Sequence, residues 1–184
     1  LGFDDDGFQL PPLCEIEHVV KTAKPRKGML FTLPARDMRE ERAERNHSVR
    51  ERCERAAEIV NAVDGPAICW GELNTECDLM EKMLDDCVQV KGSMGDDEKE
   101  EALEAFTRGQ IKRLVTKPKI GAWGLNWQHC ADMTVFPSHS FEQYYQLVRR
   151  CWRYGQTRPV NTSLILCEGQ QGIVKSQQRK QAQP

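Results

Sequence analysis

Residues 140–156 read SFEQYYQLVRRCWRYGQ, a stretch that combines a helix-start signal, an apolar stripe and a pair of arginines. Ser140 and Gln143 have the spacing of a capping box, in which two side chains satisfy free backbone amides at the start of a helix. Four residues then recur at i, i+3, i+4 and i+7, the spacing of a buried helical face: Tyr144, Leu147, Val148 and Cys151. The stretch therefore predicts an amphipathic helix that packs on a hydrophobic core.

A second set of side chains lies on another side of the same helix. Gln146, Arg150 and Arg153 follow helical spacing, and two guanidiniums one turn apart repel each other. Aiming both at one place is costly unless an anion is there, and a phosphate group is the natural candidate. A solvated basic face that only aids solubility is the alternative, because runs of charged residues usually have that role.

Charge is unevenly distributed along the chain. The 184 residues carry a formal net charge of −2. Between Glu76 and Glu104 there are eleven acidic and three basic residues, whereas between Ala105 and Cys167 there are nine basic and two acidic residues. Such an asymmetry is expected when one face of a protein meets a polyanion.

The cysteines and the hydropathy pattern indicate the compartment. The eight cysteines include no C-x-x-C pair and no histidine spacing typical of zinc, so no metal site is predicted. Most lie in apolar runs, where cysteine acts as a small hydrophobic residue. The sequence shows no signal peptide and no apolar run of membrane-spanning length. We therefore expect a cytoplasmic, soluble protein with no membrane partner.

Strands and helices alternate in the predicted secondary structure. Residues 13–20 alternate as a strand does, and residues 34–62 predict one long charged helix with an apolar stripe in its second half. Residues 36–45 are almost wholly charged, so we expect them to face solvent or a partner. Five further segments are predicted as buried strands: 67–70, 87–90, 111–116, 133–136 and 162–167.

Two more helices are predicted between these strands. Asn74 is expected to cap the first, which turns Cys77, Met80 and Leu84 inward. The second covers residues 96–108, with acids at its start where they favour the helix dipole. The predicted fold class is therefore α/β, a three-layer domain with a mainly parallel sheet, preceded by an extended connector and the long charged helix.

The loop after the third buried strand has the composition of a phosphate-binding segment. Residues 116–128 read TKPKIGAWGLNWQ, with a hydroxyl, two lysines and two glycines. Lysines, hydroxyls and closely approaching backbone amides suit phosphate oxygens. In a parallel sheet, ligands meet the loops at the carboxyl ends of the strands, so we expect this loop and the arginine pair at that rim. Core packing is the simpler interpretation for Trp123 and Trp127.

The arginine pair belongs to a pattern that resembles a helicase motif. The pattern reads Gln146-x-x-x-Arg150-x-x-Arg153-x-Gly155-Gln156. It is similar to the last conserved motif of superfamily 2 helicases, in the form used by the Swi/Snf-type translocases. The resemblance implies that Arg150 and Arg153 act as arginine fingers on the γ-phosphate of ATP, with Gln146 in the same ATP site.

The glycine-containing loop resembles a second motif of this group. Gly121-x-x-Gly124-Leu-Asn126 is similar to the fifth motif, which in the family touches both nucleotide and DNA backbone. The resemblance implies that Gly121, Gly124 and Asn126 bind ATP, and that the other polar residues of the loop contact nucleic acid: Thr116, Lys117, Lys119 and Gln128. In detail the sequence is most similar to phage and prophage helicases, and the resemblance spans roughly residues 67–167.

The resemblance implies a RecA-like fold, the second such domain of a motor. The sequence has no G-x-x-x-x-G-K-[ST] and no Asp-Glu pair at a strand end, the groups that hold ATP and Mg²⁺. We therefore expect residues 1–33 to connect from an N-terminal RecA-like domain of the same polypeptide, residues 34–168 to form the second domain, and residues 169–184 to be a polar, exposed tail. ATP and Mg²⁺ would be held mainly by the N-terminal domain, DNA is the expected nucleic acid, and this chain alone is expected to be inactive.

Two other function classes stay open at this point. A non-catalytic module that binds nucleic acid or a partner would keep the RecA-like shape without hydrolysis. A small stand-alone α/β enzyme, such as a nucleotide-dependent transferase, would need a nucleophile, a carboxylate pair or a metal cluster. His129 beside Cys130 is the nearest such pair, and both are predicted to pack in the core.

Overall fold

The computed structural model of the protein describes residues 9–22, 38–120, 125–138 and 140–170. The predictions for Gly121, Gly124 and Trp123 lie outside the described residues, as do those for most of the connector and tail. None of the described helices is long and apolar enough to cross a bilayer.

Six strands and five α-helices follow one another in the described part of the chain. The strands are β1 (Leu13–Val20), β2 (Ala67–Trp70), β3 (Cys87–Gln89), β4 (Arg113–Thr116), β5 (Asp132–Val135) and β6 (Val160–Cys167). The helices are α1 (Met38–His47), α2 (Val49–Asn61), α3 (Asn74–Met83), α4 (Asp96–Thr107) and α5 (Phe141–Cys151), and a 3-10 helix (Glu168–Gln170) follows β6. All strand pairs are parallel, in the order β1-β6-β5-β2-β4-β3.

Helices cover both faces of the sheet. Successive residues of a strand point to opposite faces, so β2 contributes to two cores. Ile68 and Trp70 pack with α4 and α5, whereas Ala67 and Cys69 pack with α2 and α3. The predicted three-layer α/β architecture is confirmed.

The arginine helix forms as its sequence pattern predicts. The hydroxyl of Ser140 accepts a hydrogen bond from the backbone amide of Gln143 at 3.2 Å, which caps α5. The buried residues of α5 are the four with the predicted spacing: Tyr144, Leu147, Val148 and Cys151.

β1 is an edge strand of the sheet. It pairs with β6 over all eight of its residues. Tyr144 on α5 donates a hydrogen bond to the Glu15 carboxylate, and the indole of Trp152 donates to the Pro11 carbonyl at 2.7 Å. The predicted strand is confirmed, and it belongs to this sheet although it falls within residues 1–33. The domain boundaries stay a prediction.

The predicted single helix over residues 34–62 consists of α1 and α2 in the described residues, and the two meet at Ser48. The Ser48 hydroxyl donates to the Glu44 carbonyl at 2.8 Å, a side-chain bond that often bends helices. The expectation that residues 36–45 face solvent or a partner is wrong for Glu41 and Glu44, which are 8% and 4% exposed because they are covered within this chain. Both lie on α1, which contacts the 3-10 helix after β6.

The start of the predicted tail is also buried. Gln170 is 1% exposed, and its carboxamide oxygen accepts a hydrogen bond from the Cys167 amide at 3.1 Å. The expectation of an exposed tail is therefore wrong for this residue, because its side chain caps the end of β6. Residues 171–184 lie outside the described residues.

A buried ion pair joins α2 to α3. Arg52 Nη1 lies 2.7 Å from Glu76 Oε1, and the two side chains are 1% and 0% exposed. Arg52 also donates to the Ser48 hydroxyl at 3.1 Å and to the Arg45 carbonyl at 2.7 Å. The charge of Arg52 is thus neutralised and hydrogen-bonded on several sides, which burial requires.

Glu76 provides the cap that was predicted for Asn74. Its Oε2 accepts hydrogen bonds from the backbone amides of Glu72 and Leu73, at 2.9 Å and 2.8 Å. Asn74 is the first residue of α3 and its side chain is exposed, so the prediction that it caps the helix is wrong. The inward positions of Cys77, Met80 and Leu84 are confirmed.

The cysteines behave as hydrophobic residues. All eight are free thiols, and Cys14 is the one that is exposed. Burial raises the pKa of Cys53, Cys77 and Cys87 to about 12, so these thiols stay protonated at neutral pH.

Candidate nucleotide and nucleic-acid site

The arginine pair lies towards the amino-terminal edge of the sheet. β5 and β6 are parallel, so α5 between them runs from the carboxyl ends of the strands back to the amino ends. Arg150 is in the last turn of α5 and Arg153 lies just beyond the helix. The expectation that the pair lies at the carboxyl rim is wrong, because a helix of this length carries it roughly 15 Å away.

The loop after β4 connects the two edges. It leaves the carboxyl end of β4 at Thr116 and reaches the amino end of β5 at Asp132. Lys117 and Lys119 follow the carboxyl end directly, whereas Asn126 lies near the other end. The predicted site residues therefore form two groups, one at each end of this loop.

Both arginines contact the second half of this loop. Arg150 Nη1 donates to the Leu125 carbonyl at 3.4 Å, and Arg153 Nη1 donates to the side-chain oxygen of Asn126. The backbone amide of Trp127 donates to the Arg150 carbonyl at 2.8 Å. Among the described residues, neither guanidinium forms an ion pair with a carboxylate.

The electrostatics of the pair suit an anion. Burial lowers the pKa of Arg150, and the nearby charge of Arg153 lowers this pKa further. The Nε of Arg153 is buried without a hydrogen-bond partner in the described part of the chain. Two adjacent cations with an unused donor form a site that an oxyanion would complete, since guanidiniums bind phosphate oxygens through paired N–H groups.

A tight turn after α5 fixes the backbone of Arg153. The Arg153 carbonyl accepts a hydrogen bond from the Gln156 amide at 3.0 Å, and Gly155 has a φ of +91°, which glycine adopts most readily. Gln128 Nε2 donates to the Tyr154 carbonyl at 3.0 Å. Gln128 was predicted to contact nucleic acid, and in this structure its amide holds the turn.

The other predicted contact residues differ in accessibility. Thr116 is fully buried and its hydroxyl donates to the Val90 carbonyl at 3.3 Å. The hydroxyl that was expected to contact nucleic acid therefore bonds to the backbone of the neighbouring chain segment. Lys117 is half-buried and Lys119 is exposed. Gln146 is exposed on α5, one turn before Arg150.

A groove at the carboxyl rim adjoins Lys117. It is bounded by α3, by residues 90–93 after β3, and by Lys117 with Ile120. Lys91 at its edge lies 3.2 Å from Asp78 and 3.3 Å from Glu81, so its charge is locally neutralised.

Core packing accounts for the remaining candidates. Trp127 is fully buried, with its ring 5.9 Å from that of Trp70 and 5.6 Å from that of Phe106. Cys130 is fully buried, and the half-buried ring of His129 lies 5.0 Å from Phe106. Burial lowers the pKa of His129. The predictions that Trp127 and Cys130 pack in the core are confirmed, whereas His129 is half-buried beside it.

The fold is that of a RecA-like α/β domain: a parallel sheet has helices on both faces. A glycine-containing turn follows α5 and holds the second of two neighbouring arginines. Residues 51–155 match the helicase conserved C-terminal domain. The chain belongs to this family of helicase C-terminal domains.

Solved structures share this fold at low sequence identity. The C-terminal part of the Fun30 ATPase domain has a TM-score of 0.61 and 15% identity, over 68% of this chain and 44% of that one. The C-terminal domain of the DEAD-box protein Dbp5 has a TM-score of 0.60 and 14% identity, over 72% of this chain and 79% of that one. An S. cerevisiae Dbp5 variant bound to RNA and ADP BeF3 has a TM-score of 0.61 and 16% identity, over 71% of this chain and 36% of that one.

This chain spans less than half the length of the Fun30 structure and of the RNA-bound Dbp5 structure. No match was found among curated proteins.

Proposed function

We propose that this chain is the C-terminal motor domain of an ATP-dependent DNA helicase or translocase of the Swi/Snf type, most similar to phage and prophage enzymes. The observation that carries the proposal is the arginine pair: Arg150 and Arg153 lie together, half-buried, with no carboxylate partner among the described residues. The ATP they act on would be held by an N-terminal RecA-like domain of the same polypeptide.

In this proposal the two guanidiniums donate hydrogen bonds to γ-phosphate oxygens. They stabilise the negative charge that develops on those oxygens during phosphoryl transfer. Asn126 and the Leu125 carbonyl hold the guanidiniums in place before ATP arrives, and Gln146 lies one turn away on the same helix. The proposal also includes Gly121 and Gly124 as residues that bind the nucleotide.

Mg²⁺ belongs to the N-terminal domain in this proposal. Among the described residues, no group of three or more His, Cys, Asp or Glu side chains could hold a metal ion. The arginines therefore supply positive charge from this side of the ATP, while the metal and its carboxylate ligands would face it from the other. On its own, the chain would not turn over ATP.

Nucleotide-driven domain closure would supply the movement. Closure around ATP engages the arginine pair, and hydrolysis with product release opens the cleft. The loop after β4 contacts α5 through Trp127 and carries Lys117 and Lys119 at its other end. A change in the position of α5 would thus reach the nucleic-acid contacts through one continuous segment.

Nucleic-acid binding is tested at the two lysines. In the intact two-domain protein, substituting both Lys117 and Lys119 by Ala should weaken DNA binding and reduce the slope of log K against log salt by roughly 0.9 per lost phosphate contact. Fluorescence anisotropy over a salt series, with DNA and RNA oligonucleotides in parallel, measures this slope and tests the preference for DNA.

The matched control removes the same charge elsewhere. Lys82 on α3 and Lys112 before β4 are both exposed and lie outside the loop. Substituting these two by Ala should leave the slope close to that of the wild type. Equal slopes for the two double variants would contradict the role assigned to the loop.

A further inference from the structure

The position of Arg153 depends on the turn that follows α5. The helix ends at Cys151, so Arg153 lies outside its regular hydrogen-bond ladder. Its carbonyl is held by the Gln156 amide at 3.0 Å, in a turn that contains Gly155. A small rotation of this turn would redirect the guanidinium of Arg153, because the side chain extends several bonds from the backbone.

Gln156 anchors this turn from the inside. The residue is 6% exposed. Its Nε2 donates to the carbonyls of Cys130 and Cys151, at 3.0 Å and 3.3 Å, and its Oε1 accepts from the amides of Thr157 and Arg158, both at 3.1 Å. One side chain thus ties together the end of α5, the segment before β5 and the chain that enters β6.

We propose that Gln156 is a positioning residue that acts through Arg153. In the described part of the chain, its side-chain hydrogen bonds go to backbone groups and none goes to the Arg153 guanidinium. It holds the turn in the orientation that points the Arg153 side chain towards Asn126. The inference rests on the proposed function of the arginine pair and adds a residue to that site.

Only a carboxamide has the groups that this position uses. Two N–H donors and a carbonyl oxygen with two lone pairs are all engaged. Glutamate keeps the shape and the acceptors but lacks both donors, and its charge would face the carbonyls of Cys130 and Cys151. Methionine keeps the approximate volume and loses all four hydrogen bonds.

The test measures ATP hydrolysis by the intact two-domain protein at saturating DNA. Gln156→Met should lower kcat by roughly 10- to 100-fold, because displacing a catalytic group by about 1 Å has an effect of that size. The KM for ATP should change little, since the proposal assigns most ATP contacts to the N-terminal domain. Gln110→Met replaces an exposed glutamine after α4 and should leave kcat unchanged.

A double-mutant cycle separates positioning from a general structural effect. In an Arg153→Ala background, Gln156→Met should lower kcat no further, because its effect passes through the missing guanidinium. A purely structural role would reduce the amount of active protein by the same factor in both backgrounds. That result would overturn the inference.

If Gln156→Met does not fold, Gln156→Glu is the second variant, because glutamate keeps the size of the side chain and its acceptor oxygen. The decrease in kcat that it causes should likewise vanish in the Arg153→Ala background. An equal decrease in both backgrounds overturns the inference. If Arg153→Ala itself leaves kcat unchanged, the proposed function fails and this inference fails with it. The single variant Arg153→Ala thus distinguishes the two failures.

Discussion

Arg153→Ala in the intact two-domain protein is expected to lower kcat for ATP hydrolysis about 10³-fold, with a similar loss for Arg150→Ala, as for arginine fingers in other phosphoryl-transfer enzymes. The physical reason is that each guanidinium neutralises charge on the transferring phosphoryl group. Steady-state ATPase kinetics at saturating DNA measure the effect. DNA affinity without nucleotide should stay near the wild-type value.

Arg149 offers a matched control on the same helix. Its guanidinium lies 5.1 Å from the centre of the Tyr145 ring and 5.3 Å from that of Trp152. It therefore stacks on Tyr145 of α5 and on Trp152 just after the helix, and its hydrogen bonds in the described part of the chain go to the Tyr145 hydroxyl and not to Leu125 or Asn126. Arg149→Ala should leave kcat within a few-fold of wild type. A kcat for Arg153→Ala that matches the control would contradict the arginine-finger role.

Glu76→Ala is expected to lower the free energy of unfolding of this chain by about 3–5 kcal/mol, the usual effect of breaking a buried ion pair. The substitution leaves the guanidinium of Arg52 buried without its counter-charge. It also removes the acceptor for two backbone amides at the start of α3. Urea unfolding followed by circular dichroism measures the change.

An exposed ion pair on α2 provides the comparison. Arg55 and Glu58 lie 3.0 Å apart with side chains 45% and 67% exposed. Glu58→Ala should lower the free energy of unfolding by less than about 1 kcal/mol, because water screens such pairs. Replacing Arg52 and Glu76 together by Met and Leu should restore part of the lost stability, since no unpaired charge remains. Equal effects of Glu76→Ala and Glu58→Ala would contradict the burial of the pair.

The spacing of apolar residues along the sequence predicts which face of a helix or strand is buried. The buried face of α5 follows from the spacing of its apolar residues, because a helix of fixed pitch brings those positions to one side. The same reasoning finds the inward residues of α3 and the strands around Trp70. These elements need no information about the rest of the fold beyond the presence of a core.

The sequence pattern does not show which side chains from different helices and strands contact each other. Arg52 and Glu76 look like ordinary surface charges of two helices, and only the packing of α2 on α3 brings them together. The loop after β4 shows the same effect. From the sequence, the hydroxyl of Thr116 and the amide of Gln128 both suit a ligand, but in the structure both donate hydrogen bonds to backbone carbonyls. A polar side chain beside a loop can serve either a ligand or the backbone, and its sequence context is the same in both cases.

The helicase-like motif predicts which arginines lie together, but not at which edge of the sheet they lie. The motif singled out Arg150 and Arg153, and the structure places both against the second half of the loop after β4. Their action on ATP stays a prediction. The prediction that they lie at the carboxyl rim was wrong, because a helix between two parallel strands ends near the amino-terminal edge of the sheet.

A structure of the intact protein with an ATP analogue would show directly what the two arginines bind. We expect the guanidiniums of Arg150 and Arg153 to lie about 2.7–2.9 Å from oxygens of the γ-phosphate or its mimic, the usual distance for such charge-assisted hydrogen bonds. If both guanidiniums stay on Leu125 and Asn126 while the phosphates are bound by the N-terminal domain alone, the proposed arginine-finger role is contradicted.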